Sequence, residues 1–186
     1  MKVFLRLSMA GAAIAAAVLG IAADPATPAA KPAAPNSNSY AQAGDLVGWT
    51  TDCSSTKDWY DTKIDPSFQA KIEQAEKDAF KVTQDGAQNW GKVAFVIKDV
   101  DLEKTPMIQV KTTKVDQDSA FKVAVAPLDW SDLFVVIDRS SADGVHVGDI
   151  KAATGWSGKK DFNLVLIVEG KGKATWFDDI KIVSRK

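Results

Sequence analysis

From Trp90 to Val183, apolar and polar residues alternate in short runs separated by turn residues. No other feature restricts this chain's fold as strongly. Val93, Phe95 and Ile97 share one parity, as do Ile108, Val110 and Thr112, then Phe121, Val123 and Val125. Leu164, Leu166 and Val168 repeat the pattern, and Ile180 and Ile182 end it. Period two with polar residues between is the mark of half-buried antiparallel strands. Leu133–Ile137 is continuously apolar, which predicts a strand covered on both faces. Asp85-Gly86, Thr105-Pro106, Asp143-Gly144, Gly155, Gly158, Gly170 and Gly172 punctuate these runs. The expectation is an all-β, two-sheet antiparallel sandwich.

One segment reads two ways. Ser67–Lys81 is rich in Ala, Glu, Lys and Gln, which favours helix. Yet Phe68, Ala70 and Ile72 alternate, as do Phe80 and Val82, which fits two strands joined near Ala75-Glu76. The surrounding strands favour the second reading.

The N-terminus has the parts of a secretory signal: basic Lys2 and Arg6, then an apolar, Ala-rich run from Leu7 to Ala23. Its 17 residues sit at the lower edge of what spans a bilayer, the alternative being an uncleaved anchor. Residues 24–43 are rich in Pro, Ala, Ser and Asn and bury too little apolar surface to offset their ordering entropy, so they read as a linker. The sandwich is expected over 44–186, in a protein that is secreted or held in the periplasm or cell envelope. After signal removal no stable membrane insertion is expected.

Charge and ligand chemistry then exclude several functions. Removing Lys2 and Arg6 from 23 basic residues leaves 21 against 24 acidic ones, a net charge of −3. That argues against nucleic acid as a partner, because phosphate recognition needs a basic face. Cys53 is the single cysteine, so an intramolecular disulfide and a cysteine-type zinc site are both ruled out. It is either a buried free thiol or a link between chains. His146, the single histidine, lies in the alternating run Val145–Val147 and is expected to face solvent. Gly155-Trp156-Ser157-Gly158-Lys159-Lys160 has neither phosphate-loop spacing nor a nucleophile elbow, and is expected to be a β-turn. A glycosidase needs two carboxylates at a set separation. Nothing marks out such a pair among the 24 acids, and no catalytic residue is assigned.

Several short pieces stand in order along the chain: Val82-Thr83-Gln84-Asp85-Gly86, Trp90-Gly91-Lys92-Val93, Asp99-Val100-Asp101-Leu102 with Lys104-Thr105-Pro106, Thr154 to Lys160, and Trp176 to Ile182. Together they resemble the galactose-binding-like jelly-roll modules of secreted carbohydrate-active proteins. The resemblance spans roughly Trp49 to Val183. It implies a non-catalytic module that binds a glycan or polysaccharide. It also implies a structural calcium ion, held in part by an Asp of the closing strand, and Asp178 is the match. Asp178 shares parity with Ile180 and Ile182, so its carboxylate should face the core and need either a cation or backbone amides. Asp45 and Asp52 are the nearest N-terminal acids, and the early Glu expected of many relatives is missing.

The six tryptophans suggest where a glycan would bind. Aromatic rings stack on the C–H faces of sugars while polar neighbours take the hydroxyls. Trp59-Tyr60, between Asp58 and Asp61, and Trp130, between Asp129 and Asp132, have that composition. Arg139, after the apolar run Leu133–Ile137, is a candidate to bind a hydroxyl or a uronic carboxylate, the default alternative being a solvated turn residue. Trp90 and Trp156 are expected to pack, and Trp49 and Trp176 to lie on the core side. The competing reading is a structural or adhesive envelope domain that makes protein contacts through an exposed apolar or edge-strand surface.

Overall fold

The alternating runs become strands that pair antiparallel into two sheets, in a computed structural model that describes residues 46–61, 66–76 and 78–185. The expected signal (1–23), the linker (24–43) and Asp45 lie outside the described residues. Among those described, no helix is long and apolar enough to cross a membrane.

In chain order the strands are β1 (Val47–Thr51), β2 (Tyr60–Asp61), β3 (Ala70–Glu76), β4 (Ala79–Gln84), β5 (Trp90–Asp101) and β6 (Met107–Val115). They continue as β7 (Ala120–Ala126), β8 (Phe134–Ser140), β9 (Gly144–Asp149), β10 (Lys159–Glu169) and β11 (Ala174–Val183). Sheet A runs β3-β4-β11-β6-β9, with β1 also paired to β11. Sheet B runs β2-β5-β10-β7-β8. From β4 to β7, and again from β8 to β11, the chain crosses between sheets at each step. The segment with two readings, Ser67–Lys81, contributes the β3–β4 hairpin, so tertiary context overrides its helical composition.

The inner faces hold the core. Val93, Ile97, Phe121, Val123, Val125, Leu164, Leu166 and Val168 of sheet B meet Phe80, Val82, Ile108, Val110, Phe177, Ile180 and Ile182 of sheet A, all buried. Each such side chain contributes about 1.5–3 kcal/mol through removal from water. Along one flank the sheets come very close: a Cβ added at Gly148 of β9 would lie 2.3 Å from the carbonyl oxygen of Val136 on β8. Only glycine leaves room for that approach.

Several sequence expectations need correction. Leu133–Ile137 is not covered on both faces: β8 is an edge strand of sheet B, and Val135 is 43% exposed. His146 faces inward, not outward, because the β6–β9 register turns its neighbours Val145 and Val147 toward the other side. Its ring packs edge-on to Phe121, and its Nε2 lies 3.1 Å from the Ala142 carbonyl. Burial lowers its pKa, against smaller opposing effects of that hydrogen bond and of Asp143. Residues 155–160, expected to be a β-turn linking strands, instead lead from a short helix, α1 (Ile150–Thr154), into β10. Asp149 caps the helix by accepting the Ala152 N–H, and Gly155 ends it. Cys53 is a buried free thiol, its pKa raised by burial and then by the nearby carboxylates of Asp179, Asp178 and Asp52.

Candidate ligand face

A sheet face turned to water is ordinarily polar. The outer face of sheet B is not. On β10 the residues between the core positions are Asn163, Val165, Ile167 and Glu169, and the register places Ala126, Ala124 and Lys122 of β7 beside the first three. On β5 their neighbours are Val96, Ala94 and Lys92. Ala94, Ala124, Ala126, Val165 and Ile167 form a second hydrophobic cluster, separate from the core, and Tyr60, Trp90, Trp130 and Leu133 pack on it. The small alanine side chains leave depth above the sheet for these larger groups.

Each aromatic reaches this face for a local reason. Tyr60 pairs with Ala94 in the short β2–β5 ladder, so its ring takes the parity of Ala94. Trp130 follows β7 through a turn in which its N–H donates to the Pro127 carbonyl at 3.0 Å. Its φ of 58° is left-handed, a sterically costly region for a bulky residue. Trp90 opens β5, and its ring lies 4.1 Å, centroid to centroid, from that of Phe68.

The Tyr60 and Trp130 rings are perpendicular, with centroids 6.5 Å apart. The Tyr60 hydroxyl donates to Asn163 Oδ1 at 2.6 Å, and Asn163 Nδ2 donates to the Pro127 carbonyl at 2.8 Å. The pair is therefore tied to the turn that carries Trp130. Burial raises the Tyr60 pKa, and the Trp130 side chain opposes that rise. Lys92 Nζ lies 5.6 Å from the Trp90 ring and 5.4 Å from the Trp130 ring, within cation–π range of both. The face thus offers half-exposed indole and phenol rings, an ammonium group and a side-chain amide held in fixed positions.

The predicted platform is reached only in part. The structure brings Tyr60 and Trp130 together. Trp59 is a correction: it is 8% exposed and packs in the core, with ring centroids 5.0 Å from Phe80 and 5.4 Å from Phe95. Strand parity is the reason, since two successive residues cannot face the same side. Arg139 is exposed on β8, and its Nε donates to Glu169 Oε2 at 2.7 Å. Lys122 holds the other carboxylate oxygen of Glu169 at 2.9 Å. Burial opposes ionisation of Glu169, but the two cations outweigh it and hold its pKa below the usual range. Glu169 is four residues along β10 from the level of Tyr60, or about 13 Å at 3.3 Å per residue. Arg139 therefore belongs to the far end of the sheet.

Sequence reading assigned Trp90 a packing role and did not single out Lys92 or Asn163. A signal was available: Trp90, Lys92 and Ala94 have the parity opposite to the core residues Val93, Phe95 and Ile97. A tryptophan on the outward parity of a strand is a surface feature.

The closing strand corrects a second expectation. Register shifts between Trp176 and Phe177, and between Phe177 and Asp179, break the alternation along β11. Phe177 takes the core position, and Trp176 turns outward beneath Lys114 and Lys81, whose Nζ atoms lie 4.2 and 5.3 Å from its ring. Asp178 keeps 21% of its side-chain surface exposed and pairs with the Lys111 ammonium. The carboxylate expected to need a cation is thus neutralised by a lysine. No group of three or more His, Cys, Asp or Glu that could hold a metal ion occurs among the described residues. Of the N-terminal acids expected beside Asp178, Asp45 lies outside the described residues, and a set of about six to eight oxygen ligands is not placed around Asp178 by the others.

No protein-family model and no curated protein matches the chain. Comparison with solved structures does find similar chains. PfGH50B is 11% identical with a TM-score of 0.49 over 75% of this chain, which spans 24% of that one. The family 11 carbohydrate-binding module of the cellulosomal cellulase Lic26A-Cel5E of Clostridium thermocellum is 13% identical, with a TM-score of 0.48 over 78% of this chain and 98% of the module. TmCBM27, a carbohydrate-binding module described for specific mannan recognition, is 12% identical, with a TM-score of 0.46 over 77% of this chain and all of the module. At these values no residue role passes from them to this chain. Among the solved structures, the two-sheet antiparallel sandwich thus has carbohydrate-binding modules as neighbours at low sequence identity.

Proposed function

We propose that the protein is an exported, non-catalytic module that binds a glycan on the outer face of sheet B. The observation that supports this most is the Tyr60–Trp130 pair. A strained backbone holds an indole perpendicular to a phenol, over an alanine and valine floor, on a face that water would otherwise make polar. One ring offers its face to the C–H side of a pyranose while the other presents an edge. Lys92 donates to ring hydroxyls, and the Tyr60 oxygen, already donating to Asn163, accepts from them. Binding by stacking and hydrogen bonds needs no covalent step, and the ligand leaves unchanged.

Retardation of the domain in native gels containing soluble polysaccharides tests this reading. The panel is mannan, xylan, mixed-linkage glucan, galactan and pectin. Retardation by at least one, lost in Trp130→Ala with the fold intact, is expected. A folded domain that none of them retards contradicts the reading and favours protein contacts, for which the exposed edge residue Val135 is the starting point.

A further inference from the structure

A concavity of about 410 Å³ lies where β7 leaves sheet B and β10 joins it. It is lined by Pro127, Leu128, Asp129, Trp156, Lys160 and Asp161. We propose that it is a subsite for one sugar residue of the same glycan chain, so that the ligand is an oligosaccharide running off the sheet face across the 127–130 turn. This rests on the glycan reading above.

The volume is near the lower end of the range for ligand sites, about 300–1,000 Å³, which suits a single ring better than a longer segment. Its walls also have the mixed character of a sugar. Trp156 is anchored by ring packing on Phe134 and Phe162 yet remains half-exposed, and Leu128 is 49% exposed beside it. These apolar surfaces suit a C–H face. Asp161 uses Oδ1 to accept the Asp99 N–H at 2.8 Å, and Asp129 uses Oδ1 to accept from Ser131. Each keeps a second oxygen able to accept from hydroxyls, and the exposed Lys160 adds a donor. A neutral polyol that both donates and accepts matches this set better than a hydrocarbon or an anion.

The concavity is also coupled to the platform. Pro127 lines it, and the Pro127 carbonyl accepts both the Trp130 N–H and the Asn163 amide. One turn therefore forms a wall of the concavity and holds the platform indole.

The test is calorimetric titration of the whole domain with oligosaccharides of two, four and six units from mannan, xylan, mixed-linkage glucan, galactan and pectin, on wild type, Lys160→Ala, Leu128→Ala and Trp130→Ala. Of these, Lys160 and Leu128 carry no packing duty in the core. The expected result is that Lys160→Ala and Leu128→Ala each weaken binding of the longest ligand about five- to tenfold while leaving the disaccharide within twofold. Trp130→Ala should weaken every length. If the two concavity variants match wild type at all lengths while Trp130→Ala does not, the subsite is wrong and the platform stands. If the oligosaccharides bind wild type and Trp130→Ala equally while Lys160→Ala loses them, the concavity is a site of its own and the platform reading fails. If no oligosaccharide binds wild type, both readings fail.

Discussion

The two outer faces of this sandwich, built from similar strands, treat their aromatic residues differently. On sheet A, Trp176 lies alone among charges: Lys81 and Lys114 cover its ring, and nearby outward positions form the pairs Lys111–Asp178, Asp179–Lys181 and Lys71–Glu73. That face keeps a polar layer toward water, and its tryptophan is shielded by lysines. On sheet B, Tyr60, Trp90 and Trp130 gather on a buried floor of Ala94, Ala124, Ala126 and Val165. The lesson is that one exposed tryptophan says little. A site is signalled by small apolar residues beneath converging aromatics, because that arrangement forgoes the solvation an outer face ordinarily keeps.

The largest effect that would sharpen the contrast separates a core aromatic from a surface one. Trp59→Ala is expected to cost about 3–5 kcal/mol of unfolding free energy, measured by urea denaturation, because it leaves a cavity against Phe80 and Phe95. Trp130→Ala should cost much less stability. Equal losses for the two would mean that Trp130 is a structural residue. Next in size is ligand binding. Trp130→Ala should weaken affinity for whichever polysaccharide binds by tenfold or more, about 1.4 kcal/mol, whereas Trp176→Ala should leave it within twofold. Parallel losses would break the distinction between the faces.

How much of this could be read from the chain depends on what each feature obeys. Strand parity is local, so the runs around Val93, Phe121 and Leu164 predict the inner faces correctly. The same rule, applied to Trp59-Tyr60, excludes placing both rings on one face. The signal was present there and needed only the choice of which residue faces outward. Trp176 and Asp178 are different. Their positions follow from bulges against β6, and a bulge is set by pairing with another strand. The inward turn of His146 likewise follows from the register of β9 on β6, since a lone histidine between two valines is compatible with either face. The convergence of Trp90, Lys92, Trp130 and Asn163 depends on the order of strands in sheet B, which alternation does not specify.

A smaller effect concerns pH. His146 has its pKa lowered by burial from an ordinary value of 6.5, so the unfolded chain binds a proton that the folded one resists. Stability should therefore be complete above about pH 6.5 and fall as pH drops below it toward the lower folded value. His146→Gln should remove that part of the slope in thermal melts between pH 7 and pH 5. An unchanged slope would place the titrating group elsewhere. The smallest expected effect is that of calcium. With Lys111 on Asp178, adding millimolar calcium or EDTA should leave Tm unchanged within about 1 °C. A clear rise in Tm with calcium would show a site that the described residues do not reveal.

Amide chemical-shift mapping of the isotope-labelled domain, titrated with a fragment of whichever polysaccharide retards it, tests the central claim most directly. The predicted shifts cluster at Tyr60, Lys92, Ala94, Trp130 and Asn163, with the Trp130 indole N–H among the largest and the region around Trp176 unmoved. Shifts concentrated on sheet A around Trp176, or none at saturating fragment, would contradict it.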